Sequence, residues 1–337
     1  MHNFTDFSTP DKEYITSRFR EQIEALQKVF DIARENDATL IIGGDIFHKR
    51  GSVKTEVFNK VFELVERNYD VDVLMLRGNH DAVTNSLYTS SSIEPFGVLS
   101  NVTVINEPEV MNYPDSTRIL FLPYGDETED MKKFINEEAD RGTDRPTILV
   151  AHIGVEGASQ GKHSHRLSGA FGYGDLKPDY FDYILLGHYH KRQLLGTNPK
   201  HLYGGSFMQH NFGDEGQDKG VHLIDSEEGT IDFIPIKTTK FKTITTKDNI
   251  DDIEGILDSN FVRFIGSSNE LKALDKLKDN DNGQLHKMRV ELQRDYQQEA
   301  RMGLDASMSE EDIVKAFAEQ KFPDAIEEAL ECLQEAR

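Results

Sequence analysis

Four apolar runs along the chain each end directly in a polar side chain of a type that binds metal ions. They occupy residues 40–45, 73–81, 147–152 and 183–190. Short runs rich in Val, Ile and Leu predict buried strands, and their alternation with helical segments predicts an α/β fold with a partly parallel sheet. Because parallel strands end at one edge of a sheet, the four polar endings are expected to share one site.

The last of these runs ends in two histidines. Gly187 breaks the strand, and His188 and His190 follow it. Residues two apart in an extended segment point to the same side, so both imidazoles are predicted to reach into one site. Neutral imidazole is the commonest metal-ligating side chain, which makes both histidines candidate ligands.

The other three runs supply Asp45, Asn79 and His152. Two glycines before Asp45 let the backbone turn sharply and bring the carboxylate close to an ion. A mixture of carboxylate, amide and imidazole ligands suits Mn, Fe or Zn better than Ca or Mg. Taken singly, each residue type is more often part of a turn or an exposed strand. Their joint occurrence at strand ends favours a metal site.

Two residues beside Asn79 are candidate catalytic groups. His80 is assigned to donating a proton to a leaving alkoxide or to stabilising a charged transition state. Asp81 is assigned to orienting His80 or the loop, with the capping of a turn as the alternative.

The remaining histidines are assigned no metal. His163 and His165 are candidate substrate contacts, and His48 is expected near the edge of the site. Three others are predicted to be loop or surface residues: His201, His210 and His222.

Hydrophobic periodicity divides the chain into a helix-rich first half and a strand-rich second half. Helices are predicted at residues 11–36, 55–68 and 130–141. Strands are predicted at residues 39–43, 71–76, 101–106, 118–123, 147–151, 182–186, 201–204, 220–225 and 230–236. Residues 156–174, rich in Gly, Ser and His, are predicted to form a long loop near the site.

A boundary is expected near residue 238. It gives a main domain at residues 1–238, a capping domain at residues 239–300 and C-terminal helices at residues 301–337. The capping domain is predicted to be a small β-α-β unit, because strand-like stretches at 260–265 and 286–293 flank a helical stretch at 269–278.

Two short helices, split before Pro323, are predicted after residue 309. Ser309 and Asp312 have the spacing of a capping box at the first helix start. Apolar residues recur at helical spacing and predict either a partner-binding surface or packing on the main domain. These are Ile313, Phe317, Ile326, Ala329, Leu330 and Leu333.

Composition and charge limit the classes of function. The formal charge of −22 repels nucleic acid at long range, and suits a metal-dependent enzyme, a basic partner or simple solubility. Apolar runs fall short of the roughly 20 residues of a membrane helix, and no signal peptide is recognised, so no membrane contact is expected. The single cysteine, Cys332, fits a reducing compartment, and a cytoplasmic location is expected, in a host cell if the chain is from a phage.

At its polar strand ends, the chain resembles the calcineurin-like metallophosphoesterases. The motifs are Gly44-Asp45, residues 78–81, His152 and residues 187–190. Within that superfamily it is most similar to the SbcD-type double-strand-break repair nucleases and the matching bacteriophage recombination endonuclease subunit. The stretches that support this similarity are residues 43–48, 203–206, 211–214 and 219–221, and the resemblance covers residues 3–236.

The resemblance implies a β-sandwich flanked by helices and a Mn-dependent DNA exonuclease or endonuclease with two divalent metal ions. It also implies a homodimer and an SMC-like ATPase partner bound through the C-terminal helices. Asp45 would bridge the two metals, with His152 beside the pair. Asn79 and His188 would serve one metal and His190 the other, and His80 would be the catalytic histidine.

One motif of the family is absent from this sequence. The family begins with a strand ending in Asp-x-His that supplies two metal ligands, whereas here the chain starts at Met1-His2-Asn3. The chain as written is therefore expected to hold at most one metal firmly and to lack one strand of its central sheet. The missing motif favours one alternative to the nuclease, a non-catalytic pseudonuclease scaffold. A second alternative, which the acidic charge supports, is a phosphatase or phosphodiesterase acting on a small substrate.

Overall fold

A computed structural model describes residues 1–113, 117–159, 171–245, 248, 253–267, 285–292 and 308–335. Contacts between residues divide the chain into two compact units. The first contains the described residues up to Gly266 together with residues 285–291, and the second contains the helices within residues 308–335.

The helices and strands are numbered along the chain. The α-helices are α1 (Ser17–Glu35), α2 (Thr55–Arg67), α3 (Thr128–Asp140), α4 (Ile253–Ser259), α5 (Glu310–Lys321) and α6 (Ile326–Glu335). The strands are β1 (Leu40–Ile42), β2 (Val73–Leu76), β3 (Val102–Ile105), β4 (Glu109–Asn112), β5 (Arg118–Leu122), β6 (Thr147–His152), β7 (Tyr183–Gly187), β8 (Gln193–Leu194), β9 (His201–Tyr203), β10 (Gly220–Asp225), β11 (Thr230–Pro235), β12 (Lys240–Thr245), β13 (Asn260–Gly266) and β14 (Met288–Leu292). Short 3-10 helices lie at Glu94–Val98, Tyr173–Leu176, Phe212–Asp214, Leu285–Lys287 and Pro323–Ala325.

Two sheets form a sandwich in the first unit. The first sheet has the order β1-β2-β3 with parallel pairing, and the second has the order β4-β5-β6-β7-β9-β8, in which β5, β6, β7 and β9 are parallel. The predicted α/β class, a β-sandwich flanked by helices, is confirmed.

Alternation along the strands explains the layers. In β2, Leu74 and Leu76 pack against the second sheet, whereas Val73 and Met75 belong to the cluster that contains α1 and α2. Successive strand side chains point to opposite faces, so a strand buried on both faces is apolar throughout. This arrangement gives a core between the sheets and further cores under the helices.

Helix α1 begins later than predicted. Its first residue is Ser17, with Thr16 as the N-cap, rather than a residue near Asp11. The carboxylate of Asp11 accepts hydrogen bonds from the backbone N–H groups of Glu13 and Ile15, at 2.8 and 2.9 Å. An acidic side chain that bonds the following backbone holds a turn, which competes with the helix.

A cavity of about 770 Å³ lies beside β1. Residues of α1, β1, β10 and the second sheet line it, including Val29, Ile41, Val221 and Leu185. All three residues of β1 are half-buried, whereas all four residues of the neighbouring β2 are buried. This apolar strand at the edge of its sheet is therefore partly exposed toward the cavity.

Two smaller sheets follow in the sequence. One pairs β10 with β11, and the other has the order β12-β13-β14, with β12 and β13 parallel. The strands predicted at residues 260–265 and 286–293 are present as β13 and β14, so the β-α-β unit predicted between them stays a prediction, and a further β-α-β unit precedes it. The helix of this further unit is α4, between the parallel strands β12 and β13, and the helix predicted at 269–278 lies outside the described residues. A strand, β12, begins directly after the predicted boundary, and the division at residues 238 and 300 stays a prediction.

The second unit is a pair of helices. Ser309 caps α5, where its side chain accepts a hydrogen bond from the N–H of Asp312 and the Asp312 carboxylate bonds back to Ser309, as the sequence predicts. Among the described residues, every helix is too short or too polar to cross a lipid bilayer.

Candidate metal centre

Three candidate ligands from the two sheets meet in one group. Asp45 follows β1 of the first sheet, whereas His152 ends β6 and His188 follows β7 of the second sheet. One ligand atom of each lies within 4.8 Å of those of the other two. The carboxyl ends of strands from opposite sheets therefore converge on this point.

Asn79 joins this group through its side-chain oxygen. Oδ1 lies 3.1 Å from His152 Nε2 and 3.0 Å from His188 Nδ1. His152 Nδ1 donates to the carbonyl of Gly43 at 2.7 Å, because a carbonyl can only accept. That bond fixes the tautomer and directs Nε2 toward Asp45 and Asn79, as a backbone partner commonly does for metal-binding histidine.

Two of these residues have an unusual backbone. Asp45 has φ +57° and His188 has φ +89°, both in the region that favours glycine. A non-glycine residue held there costs about 1–3 kcal/mol and persists only where the surroundings impose it. Both are candidate ligands, so the fold holds two ligand positions in a strained backbone conformation.

Glycines allow the loops to approach each other closely. A Cβ on Gly78 would lie 2.2 Å from Asp45 Oδ1, and a Cβ on Gly187 would lie 2.1 Å from the carbonyl oxygen of Gly43. Any side chain at either position would push the loops apart and separate the ligands.

Asp81 is buried and bonds the backbone of both loops in the first sheet. Its carboxylate accepts hydrogen bonds from the N–H groups of Asp45, Phe47 and Gly78, at 2.8, 3.1 and 3.1 Å. These three contacts indicate that the Asp81 carboxylate orients the loop and does not take part directly in the chemistry. Of the two predicted catalytic residues, Asp81 therefore acts as a positioning residue for Asp45.

His80 lies at the half-buried rim of the group. Its backbone N–H donates to Asp45 Oδ1 at 2.7 Å, and its ring Nδ1 bonds the carbonyl oxygen of His48. Since that oxygen can only accept, Nδ1 carries a hydrogen and Nε2 remains available to a substrate. The ring is also stacked on His48, with 5.9 Å between centroids.

His190 lies outside the compact group. It lines the same cavity as Asp45, His152 and His188, but its ring packs against His210, with 4.9 Å between centroids. The predicted candidate substrate contacts His163 and His165 lie outside the described residues.

Charge and burial shape the titration of the group. Burial opposes ionisation of Asp45, but the charge and hydrogen bond of His152 outweigh it and hold the pKa of the carboxyl well below its usual range. Burial likewise opposes protonation of His152, yet the Asp45 carboxylate raises its pKa. Burial and the neighbouring His152 lower the pKa of His188 to about 4. A bound cation would take over the role that the His152 proton has beside Asp45.

Two arginines at the site were missed by the sequence interpretation. The exposed Arg50 donates from Nε to the carbonyl oxygen of Asn79 at 2.7 Å. The fully buried Arg77 donates to three backbone carbonyls, those of Ser86, Leu87 and Asn106, and so holds the chain after β2. The sequence contains an indication of Arg50, because three cationic residues follow Asp45 before the next acidic residue. Arg77 lies inside an apolar run, where sequence gives no sign of its carbonyl partners.

The donor set fits a divalent transition-metal ion. One carboxylate, two imidazoles and an amide oxygen converge, and such mixed sets suit Mn, Fe or Zn. The carboxylate supplies negative charge, and the half-buried position of Asp45 leaves room for substrate.

The sequence model of the calcineurin-like phosphoesterases matches residues 16–192, which is more than half of the chain. The protein therefore belongs to the calcineurin-like phosphoesterase family. Asp45, Asn79, His152 and His188 all lie within the matched segment, and divalent metals are typical of the family.

Proposed function

We propose that the protein is a metal-dependent DNA nuclease that acts with an SMC-like ATPase in recombination or double-strand-break repair. The observation that carries its phosphoester chemistry is the convergence of Asp45, His152 and His188 within 4.8 Å, with Asn79 Oδ1 in contact with both histidines. A divalent ion bound there would supply Lewis-acid chemistry for phosphodiester hydrolysis.

The protein's own groups divide the remaining work. Asp81 holds the N–H groups of Asp45 and Gly78 and so fixes the geometry of the ligands. His80, with Nδ1 bonded to a carbonyl, has Nε2 available for a proton transfer at the leaving oxygen or for a hydrogen bond to the phosphate.

The loop after Asp45 supports a polyanionic substrate. Lys49, Arg50 and Lys54 are exposed, and no acidic residue lies between Asp45 and Glu56. In a chain of formal charge −22, this local excess of cations beside the candidate ligands suits contact with a phosphate backbone. Arg50 contacts the site directly, through its bond to the Asn79 carbonyl.

A phosphatase or phosphodiesterase acting on a small molecule is equally compatible with the family. The candidate ligands and His80 contact only the phosphoester that is cleaved. Cations further along the loop can contact only a substrate that extends beyond that phosphoester. Lys49→Ala, which removes an exposed cation of this loop, is therefore expected to lower cleavage of a linear duplex by about tenfold, mainly through KM, because one charge-assisted phosphate contact is lost. Hydrolysis of bis-p-nitrophenyl phosphate should change little.

The measurement is initial rates on both substrates with Mn²⁺ at two salt concentrations. Lys60→Ala is the matched control, because Lys60 is a cation of the neighbouring helix α2 that pairs with Glu63 on the exposed surface. Brisk turnover of the small diester without any cleavage of DNA, by the unaltered protein, would favour the small-substrate enzyme. Absence of both activities despite metal binding would favour the pseudonuclease scaffold.

The C-terminal helices are the proposed site for the ATPase partner. In the second unit, Ile313, Phe317 and Phe322 are exposed to 39, 45 and 62%. They line a cavity of about 490 Å³ together with Ala329 and Cys332. An amphipathic helix pair with an apolar groove is a common way to bind a partner helix.

Deletion of residues 309–337 is expected to abolish co-purification with a coexpressed SMC-like ATPase and to leave the first unit folded. Phe317→Asp should have the same effect, because it places a charge in the apolar groove, whereas Glu319→Lys changes an exposed residue of the same helix and should not. Undiminished co-purification after the deletion would contradict the proposed partner site. The thermal unfolding of both proteins provides the control for folding.

A further inference from the structure

A loop of the second sheet bonds the loops of the first sheet beside the candidate metal centre. This loop, residues 124–127, follows β5 and is called the β5 loop. The backbone N–H of Tyr124 donates to the carbonyl oxygen of Arg77 at 3.2 Å, and that of Asp126 donates to the carbonyl oxygen of Asn85 at 2.9 Å. Arg77 directly follows β2 of the first sheet. The β5 loop therefore joins the second sheet to the first at the edge where the candidate ligands lie.

Further contacts hold the β5 loop against the loop that follows His80. The Glu127 carboxylate accepts hydrogen bonds from the hydroxyl of Ser86 and the backbone N–H of Leu87, both at 2.7 Å. A Cβ on Gly125 would lie only 2.8 Å from the Cβ of Leu87. The lack of a side chain at Gly125 is therefore what permits the two loops to approach each other this closely.

The side chain of Tyr124 contacts a candidate ligand of the second sheet. Its half-buried ring lies 6.1 Å from the ring of His188 between centroids, with 29° between the ring planes. Aromatic rings attract each other at centroid separations of about 4.5–7 Å. His188 has φ +89°, a conformation that persists only where the surroundings impose it. The Tyr124 ring is one part of those surroundings.

Tyr124 also contacts Arg50, which bonds the backbone of a candidate ligand of the first sheet. The guanidinium carbon of Arg50 lies 6.0 Å from the Tyr124 ring centroid, at the outer limit of a cation–π contact. Arg50 donates from Nε to the Asn79 carbonyl and from Nη1 to the side chain of Asn85. Asn79 Oδ1 is in turn 3.0 Å from His188 Nδ1. One tyrosine thus contacts both the arginine that holds Asn79 and the ring of His188.

We propose that Tyr124 is a positioning residue of the metal centre, whose ring holds the His188 imidazole beside Asn79 so that both can bind one divalent ion. The β5 loop fixes the spacing of the two sheets, and the ring fixes the orientation of the imidazole. The Tyr124 hydroxyl is not needed for this role, because it bonds the exposed Asp126 of the same loop at 3.2 Å. The inference rests on the proposed metal-dependent function, and its test measures metal binding.

The test is calorimetric titration of the metal-free full chain with Co²⁺, together with the visible absorption of the bound ion, which reports imidazole coordination. Tyr124→Leu keeps the backbone bonds of the β5 loop and removes the ring. It should therefore weaken Co²⁺ binding by about tenfold or more and change the visible spectrum. Tyr124→Phe keeps the ring, so its affinity should stay within about twofold of that of the unaltered protein, with the same spectrum.

Further variants separate the ring from the fold of the loop. Tyr88→Leu is the matched control and should change neither affinity nor spectrum, because Tyr88 lies in the same loop as Leu87 and is 60% exposed. Gly125→Ala should weaken Co²⁺ binding as Tyr124→Leu does, because its Cβ pushes the β5 loop away from Leu87. Tyr124→Met is a second variant without the ring, for use if leucine impairs folding. Thermal unfolding of each metal-free variant shows whether it is folded.

Two results would overturn the positioning role of Tyr124. The first is an unchanged Co²⁺ affinity and spectrum in a folded variant without the ring. The second is an equal loss in Tyr124→Phe and Tyr124→Leu, because it would assign the effect to the hydroxyl. In either case, Co²⁺ binding that Asp45→Asn removes would leave the proposed function intact, whereas no Co²⁺ binding by the unaltered protein would refute both.

Discussion

Asp45→Ala is expected to lose metal binding and phosphodiester cleavage together, with turnover lower by about 10³-fold or more. Asp45 supplies the only carboxylate of the compact group, so its removal leaves two imidazoles and an amide without a negative charge. It also removes the acceptor of the His80 backbone N–H. Metal content by mass spectrometry and the rate of duplex degradation with Mn²⁺ measure the two losses.

The backbone conformation of Asp45 requires a specific control. At φ +57°, alanine is strained by about 1–2 kcal/mol, whereas asparagine tolerates this region well. Asp45→Asn should therefore fold normally and still lose most of the affinity. Asp37 has a similar φ of +50° and is exposed, so Asp37→Ala should show the backbone cost in thermal unfolding without a loss of metal.

Retention of a full complement of metal by Asp45→Ala would contradict the assignment of Asp45. Equal losses in Asp45→Ala and Asp37→Ala would show that the backbone, rather than the carboxylate, accounts for the effect.

The layered fold could be predicted from the sequence because the spacing of apolar residues shows which faces of a helix or strand are buried. The residues of β2 and residues 148–151 of β6 are apolar without interruption, since both faces of these strands are covered. Short or mixed elements were less visible. The edge strand β4, with residues Glu109–Asn112, is half-buried and carries no clear alternation, and it was not predicted.

The sequence predicted most residues of the candidate site but not their arrangement in space. Polar strand ends indicated Asp45, Asn79, His152 and His188, because a local pattern places each of them. That strands of two different sheets supply them is a property of the tertiary fold. The separation of His190 from the compact group depends on the backbone of the loop after β7, where His188 has φ +89°.

Contacts between distant segments were beyond the reach of sequence reasoning. The Lys219–Asp214 ion pair and the carbonyl partners of Arg77 involve ordinary polar residues whose burial the local pattern does not reveal. The walls of the cavity beside β1 also come from distant segments, since α1, β10 and the second sheet all contribute to them.

His80→Ala is expected to reduce DNA cleavage by about 10²–10⁴-fold while metal binding persists. Metal should persist because the bond that places Asp45 comes from the backbone N–H of His80, which the substitution keeps. The imidazole itself is absent from the compact group of ligand atoms. Metal content and single-turnover rates on a linear duplex measure the two effects separately.

The leaving group distinguishes the two roles considered for His80. A nitrophenolate departs without protonation, whereas a sugar alkoxide requires a proton. If His80 Nε2 donates that proton, His80→Ala should impair DNA cleavage strongly and hydrolysis of bis-p-nitrophenyl phosphate only slightly. If the ring stabilises charge on the phosphate, both rates should fall by similar factors. Unchanged DNA cleavage, or loss of metal from His80→Ala, would contradict both roles and make His80 a structural residue or a ligand.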